Sequence, residues 1–433
     1  MTTTPKILFI RPRYGSALTR LTHMNTEPLD LEYLSAVANQ HHCEWKIHDP
    51  AVDGESFHKV FKLFQPDILA ITGYYPAKDR MLEHARFAKS KRPDIITIIG
   101  GVHAELNATD FYDNTIDLIV HSGGALTFSA ILQAILNNQS INETNGTCVR
   151  QPNSQWLNMP VVPLDPNQLP RPDRSHFYRY RRKFTWLYHG PVALVKTAYG
   201  CPFQCSFCYC RLLNNGLYTT RNVDDVVDEI ASIDNPLIWI TDDSFLLDMA
   251  RIRTFATALQ ARKLTRQFII YSRAGFIAQH PEVVPLLKQM GVINVIIGLE
   301  STDERTLTAF NKSTSMDENE ACVRLLYEHT IECTGLFIMP VDATHAGFRH
   351  LQRWITHVGL RLYTVSIFTP FPGTTEFADY QDKLTTHDCR KWDLLHLVLT
   401  PSHMSRAMFY LRMGWVHGRM VVGNVKLKRY YFH

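Results

Sequence analysis

The sequence predicts an α/β fold. It comprises an N-terminal doubly wound parallel sheet over residues 1–140, a linker over 141–190, a partial (β/α)6 barrel over 191–375 and a small helical cap over 376–433. Three observations carry this reading. Short strands apolar on both faces alternate with helical patterns, twice over, as in parallel sheets covered on both sides. Between the two series lies a stretch with seven prolines from Pro152 to Pro191, and after the second the alternation stops.

In the first series Lys6–Ile10 reads as a strand, Leu29–Gln40 as a helix and Glu44–His48 as a second strand. A helix over Ser56–Phe64, the strand Asp67–Thr72 and a helix over Asp79–Ser90 follow. Ile95–Ile99 and Asp117–Val120 add two strands, and Leu126–Leu136 a closing helix. The second series has strands at Val192–Thr197, Leu237–Thr241, Gln267–Tyr271, Asn294–Gly298, Thr334–Met339 and Leu362–Phe368. Helical patterns separate them at Asp225–Ile233, Ile252–Lys263, Glu282–Met290, Asp317–Glu328 and His345–His357. In barrels of this kind, chemistry sits where strands end and loops begin.

Composition narrows the class. A net charge of +4 is too small to argue for nucleic acid or an acidic membrane surface. The basic run Arg171–Lys183, interleaved with Phe177, Tyr178 and Tyr180, reads as a solvated face. Met1–Leu8 shows no signal-peptide pattern, and apolar runs such as Ile95–Val102 fall short of the ~18 residues of a spanning helix. A cytoplasmic protein without a transmembrane segment is expected. Nine cysteines is an odd count, with four crowded into Cys201–Cys210, which points to metal or redox chemistry rather than a disulfide framework. Cys43, Cys148, Cys322, Cys333 and Cys389 read as small buried side chains.

Cys201, Cys205 and Cys208 lie just after the first strand of the second series. Three thiolates so spaced can hold three irons of a [4Fe–4S] cubane and leave the fourth iron without a protein ligand. Zinc is the alternative, but it wants four ligands, usually from two separated pairs. Cys210 offers a fourth, cramped by the Cys208-Tyr-Cys210 spacing.

Cys201-Pro-Phe-Gln-Cys205-Ser-Phe-Cys208 resembles the Cys-x3-Cys-x-aromatic-Cys signature of the radical S-adenosylmethionine (SAM) superfamily, with Phe207 at the aromatic place beside the adenine. Later strand ends extend the resemblance. Thr241-Asp242-Asp243-Ser244-Phe245 is similar to the Asp-Asp-x-Phe element of cobalamin-dependent members, which implies that Asp242 or Asp243 receives the SAM ammonium. Tyr271-Ser272-Arg273 offers Ser272 as a SAM contact and Arg273 as a fork for the SAM carboxylate or a substrate anion. Gly298-Leu299-Glu300-Ser301 sets Glu300 near SAM polar atoms, and Pro370-Phe-Pro-Gly-Thr374 resembles the run after the last barrel strand of relatives.

The first series is flavodoxin-like, and such domains bind ligands at the carboxyl ends of their strands. Those ends are Thr72-Gly73-Tyr74-Tyr75, Gly100-Gly101-Val102-His103-Ala104 and Ser122-Gly123-Gly124-Ala125. They and Pro28–Ala36 resemble the cobalamin-binding domain that precedes the radical SAM barrel in one large class. The resemblance implies cobalamin contacts from Thr72, Gly73, Tyr74, Gly100, Gly101, His103, Ser122 and Gly123. Two departures stand out. The Asp-x-His-x-x-Gly signature that brings a histidine to cobalt is absent, and Ser122–Ala125 replaces the Gly-Glu-Gly-Glu of relatives. A structural domain without cofactor is the alternative reading, and His103 reads as a hydrogen-bonded loop residue rather than a cobalt ligand.

The resemblance implies reductive cleavage of SAM to a 5′-deoxyadenosyl radical and functionalisation of an unactivated carbon, with cobalamin as methyl carrier. The expected partners are a small-molecule or lipid-like substrate and an external one-electron reductant of flavodoxin or ferredoxin type. A radical SAM oxidative cyclase or ring-rearranging enzyme without methyl transfer is the second reading. A metal-stabilised binding protein without turnover is the third. The tail carries Trp392, Phe409, Tyr410, Trp415, Tyr430, Tyr431 and Phe432, either core or a wall for an apolar substrate.

Overall fold

In the first series the five predicted runs pair as parallel strands. The central ones are apolar on both faces and buried between helix layers, while Glu44–His48 lies at the sheet edge with Glu44 exposed. The computed structural model describes residues 4–13, 24–187 and 189–431, with side chains described to Gly418. The chain divides into two units. One is formed by residues up to Leu194 with Leu212–Arg221, the other by Val195–Arg211 and the residues from Asn222 onward.

The first unit contains β1 (Lys6–Ile10), α1 (Leu29–Gln40), β2 (Glu44–His48), α2 (Phe57–Phe64), β3 (Ile68–Thr72), α3 (Lys78–Lys91), β4 (Ile96–Gly100), α4 (Val102–Leu106), β5 (Leu118–Val120) and α5 (Gly124–Leu136). Its sheet order is β2-β1-β3-β4-β5, parallel throughout, then β6 (Thr147–Arg150) and β7 (Trp156–Asn158) added antiparallel. The order reverses between β1 and β3, where doubly wound sheets bind ligands. Alternate residues serve opposite faces. Leu8, Ile10, Leu69 and Ile71 pack with Phe57, Val60 and Phe61 of α2 and Met81 and Ala85 of α3. Phe9, on the other face, meets Phe128 of α5 at 5.7 Å between ring centroids.

Within 141–190, where the sequence reads as linker, the structure places β6, β7 and the short helix α6 (Ser175–Tyr180). Strands of four and three residues are too short to show a period among neighbouring Asn and Pro. Arg174 is buried there, its Nη1 donating to Glu27 Oε1 at 3.0 Å and its Nη2 to the Leu194 carbonyl at 2.8 Å. Glu32 Oε1 accepts from the Phe177 amide at 3.0 Å. Burial raises the pKa of both Glu27 and Glu32, for Glu32 well above the usual carboxylate range, because one guanidinium serves two buried carboxyl groups.

The second unit's sheet has the order β13-β12-β11-β10-β9-β8. These strands are β8 (Ala193–Val195), within which the division between units falls, β9 (Leu237–Ile240), β10 (Gln267–Ser272), β11 (Val292–Glu300), β12 (Glu332–Met339) and β13 (Leu362–Ile367). From β9 to β13 all pairings are parallel. The intervening helices are α7 (Val223–Ser232), α8 (Met249–Ala261), α9 (Ala274–Gln279), α10 (Val283–Met290), α11 (Glu304–Ala309), α12 (Met316–Glu328) and α13 (His345–His357). Strand β11 runs two residues beyond its predicted end, and its register against β12 shifts between Gly298 and Glu300. That shift is a β-bulge, a device that re-aims a side chain at a strand end.

The tail forms α14 (Thr375–Tyr380) and the 26-residue helix α15 (Arg406–Tyr431). Trp392 is core, its indole N–H donating to the Pro370 carbonyl at 2.7 Å, and Phe409 packs edge-on against Phe348 of α13 at 5.4 Å. Tyr410 and Trp415 are exposed. The side chains of Tyr430 and Tyr431, and Phe432 altogether, lie outside the described residues. Among the described residues no helix is long and apolar enough to cross a membrane.

Candidate active site

The parallel strands β9 to β13 end on the same side, and β8, beside β9 in the sheet, is followed by the cysteine loop. Gly200, at φ +77°, turns the chain into it. The loop is held on both sides. The Ser206 amide donates to the Phe310 carbonyl at 3.1 Å, and Asn311 Nδ2 to the Gln204 carbonyl at 2.8 Å. The Ser206 hydroxyl donates to Glu376 Oε1 at 2.6 Å, and Arg211 Nη2 to Thr375 Oγ1 at 3.0 Å. Phe207 lies edge-on to Phe310 at 5.0 Å.

Cys205 and Cys208 are close enough to act electrostatically on Cys201, Asp243 acts on Cys201 and Cys208, and Glu300 acts on Cys208. Burial pushes the Cys201 thiol up to about 11. Cys208 is lowered, first because the Cys210 thiol donates a hydrogen bond to it, and Cys210 is raised well above its ordinary value by the same contact. Three soft thiolates from one loop are a donor set that suits a [4Fe–4S] cubane with one iron left open, whereas zinc takes four protein ligands in a closed site.

The two aspartates after β9 separate cleanly. Asp242 is 1% exposed, and its Oδ1 accepts the amides of Thr197 at 2.6 Å and Ala198 at 3.0 Å, while Oδ2 accepts the Thr197 hydroxyl. It ties the end of β9 to the segment after β8, and burial raises its pKa. Asp243 has a side chain 17% exposed, and its Oδ2 has no hydrogen-bond partner, with Lys196 Nζ at 3.9 Å.

After β10 the Ser272 hydroxyl donates to the Arg273 carbonyl at 3.1 Å, so it caps its own turn. Arg273 Nη1 donates to Cys205 Sγ at 3.3 Å. After the bulge, Glu300 sits at φ +59°, a left-handed conformation rare for a side-chain-bearing residue. Its Oε1 accepts from Lys312 Nζ at 2.7 Å, both groups being buried. A Cβ at Gly298 would lie 2.3 Å from Glu300 Oε1 and 2.7 Å from Lys312 Nζ, so glycine makes room for the pair. Lys312 and the stacking residue Phe203 were missed by sequence reasoning; a lone lysine in a short loop carries no periodic signal.

In the first unit the structure brings the loops after β3 and β4 together. The His103 amide donates to the Gly73 carbonyl at 3.3 Å, and a Cβ on Gly101 would meet Thr72 Oγ1 at 2.5 Å. The Thr72 hydroxyl donates to Asp30 Oδ2 at 2.7 Å. His103 is buried, paired with Asp110 Oδ2 at 2.8 Å and packed against Tyr75 and Phe111. Its ring is engaged in the loop itself, as a hydrogen-bonded structural residue would be. Tyr74 is exposed, and a Cβ on Gly100 would touch only Val120, at 3.8 Å. Ser122 is drawn elsewhere, its Oγ accepting from the Val162 amide at 3.0 Å, and Gly123 packs against Thr127 and Val162. Gly124, at φ +49°, has nothing within 4 Å of where a Cβ would stand, so the backbone is open there.

Residues 195–354 match the profile of the Radical SAM superfamily, and residues 15–132 that of the B12 binding domain. The chain is 24% identical over 413 residues to the hopanoid C-3 methylase of Methylococcus capsulatus, covering 92% of this chain and 79% of that protein. It is 23% identical over 416 residues to the anaerobic magnesium-protoporphyrin IX monomethyl ester cyclase of Rubrivivax gelatinosus, covering 93% and 74%. Its fold is similar to that of the cobalamin-dependent SAM radical enzyme OxsB with aqua-cobalamin and SAM bound. The TM-score is 0.74 at 15% identity, over 95% of this chain and 66% of that one. The radical SAM domain implies a [4Fe–4S] cluster and SAM, and the B12 binding domain implies cobalamin. The chain thus carries a B12 binding domain followed by a radical SAM domain.

Proposed function

We propose that this enzyme transfers a methyl group from SAM to an unactivated carbon of a small-molecule or lipid-like substrate. One observation carries the site assignment: Asp243 Oδ2, without a hydrogen-bond partner, stands close enough to the three-thiol loop to act on Cys201 and Cys208. When bound, the cluster supplies the electron that breaks a C–S bond of SAM, and cobalamin supplies the methyl carrier.

The chain's own residues bind and orient. Cys201, Cys205 and Cys208 hold the cluster. Asp243 accepts the SAM ammonium through Oδ2, where Lys196 Nζ stands 3.9 Å away. Asp242 keeps Asp243 in place by bracing the backbone of Thr197 and Ala198. Glu300, aimed by the bulge and neutralised by Lys312, meets the polar edge of SAM. Phe207, backed by Phe310, covers the adenine and keeps water from the reacting bond. The open backbone at Gly124 is where the corrin approaches. The relative named as a methylase, aligned along nearly the whole chain, supports methyl transfer. The similarity to a cyclase supports a second reading, radical chemistry without methyl transfer. An external one-electron reductant of flavodoxin or ferredoxin type belongs to both.

The test uses anaerobically reconstituted protein with cobalamin, methyl-deuterated SAM and a chemical reductant, presented with a small-molecule extract. Methyl transfer predicts both 5′-deoxyadenosine and S-adenosylhomocysteine, with deuterium in an organic product. Deoxyadenosine without S-adenosylhomocysteine or label would establish the second reading.

A further inference from the structure

A guanidinium cation buried in a protein needs a compensating anion or a full set of acceptors, because desolvation otherwise costs several kcal/mol. Arg273 is 8% exposed, and among the described residues no carboxylate pairs with it. Two contacts hold it. Its guanidinium carbon lies 3.9 Å from the centroid of the Phe203 ring, and Nη1 is 3.3 Å from Cys205 Sγ, itself 6% exposed. Phe203 and Cys205 belong to the cysteine loop, and Arg273 comes from the end of β10, 68 residues away in sequence. A guanidinium lying over an aromatic face keeps its N–H groups in the plane of its edge, where they are directed at acceptors.

We infer that Arg273 is a positioning residue for the cluster, donating an N–H···S hydrogen bond to the Cys205 thiolate and raising the cluster's reduction potential. The inference rests on the assignment of the cluster to Cys201, Cys205 and Cys208. One-electron reduction adds negative charge to the cluster and its sulfurs. A buried cation with an N–H on one of those sulfurs stabilises the reduced form more than the oxidised one, so reduction becomes easier. Phe203 fixes the angle of the donor. The three residues form a unit: a ligand, its hydrogen-bond donor and the platform for that donor. This role differs from a fork for the SAM carboxylate, because it operates before SAM arrives.

The test is an EPR-monitored redox titration of the reconstituted protein without SAM, comparing wild type, R273Q and F203L at matched iron and sulfide content. The inference predicts a more negative midpoint potential in R273Q and a smaller shift of the same sign in F203L, which leaves the arginine but removes its platform. If R273Q does not take up a cluster, F203L decides. Unchanged potentials with weaker SAM binding in R273Q would overturn the inference and make Arg273 a substrate fork. If the wild type itself assembles no iron–sulfur cluster, the assignment beneath the inference fails, and the inference with it.

Discussion

Exchanging Asp242 and Asp243 for asparagine, one at a time, should separate a brace from a ligand within a single dipeptide. In D242N, the amide oxygen can still accept both backbone N–H groups, since Thr197 and Ala198 both bond to Oδ1. The Thr197 hydroxyl, now facing an NH2 group, can rotate from donor to acceptor. Burial already disfavours the charge of Asp242, so its loss should cost about 1 kcal/mol of stability. D242A is different. It orphans two backbone donors at about 1–3 kcal/mol each, roughly 2–6 kcal/mol in all, a large share of a domain's stability. D243N should change the melting temperature little, because the only ion pair Asp243 loses among the described residues is the long, part-exposed contact with Lys196 at 3.9 Å. A charge-assisted bond to the SAM ammonium is worth about 1.5–3 kcal/mol, so SAM affinity should fall about 10- to 150-fold. Thermal melts and equilibrium dialysis of labelled SAM, run on all three variants, give both readouts. SAM binding as weak in D242N as in D243N, or a melting temperature lost in D243N, would refute the division of labour.

Three further predictions concern buried charge and space. G298A wedges a methyl group between Glu300 Oε1 and Lys312 Nζ, so it should lower both the melting temperature and SAM affinity, measured by thermal melts and equilibrium dialysis. K312M strands a buried carboxylate and should lower stability by about 3–5 kcal/mol in denaturant melts, with a large part restored in the K312M/E300Q double variant. Glu32, raised well above 4.5 first by burial and then by Glu27, stabilises the fold fully below its unfolded value and loses that contribution as pH rises through its folded one. E32Q should therefore gain on wild type between pH 5 and pH 8, measured as the difference in unfolding free energy at the two ends.

Local patterns were legible where the information lies within a short stretch of chain. The strands from Lys6–Ile10 to Leu362–Ile367 follow from apolar runs bounded by helical periods, and the cysteine loop is eight contiguous residues. The small strands Thr147–Arg150 and Trp156–Asn158 escaped because their stability comes from pairing with β5 rather than from their own composition. His103 reads from the sequence as a hydrogen-bonded loop residue rather than a cobalt ligand, and the structure supplies its partner, Asp110.

By itself, the sequence determined the tandem of two parallel-sheet domains, the three-thiol loop and the polar strand ends, because periodicity and spacing are properties of neighbouring residues. Tertiary structure alone decided how those polar groups divide their work. Asp242 turned out to be saturated by the backbone of Thr197 and Ala198, while the next residue kept an oxygen free of hydrogen bonds. Arg273 reached Cys205 and Lys312 reached Glu300 across turns and strands. Partners of that kind depend on burial and on a few ångströms of approach, and neither quantity is written in the order of the residues.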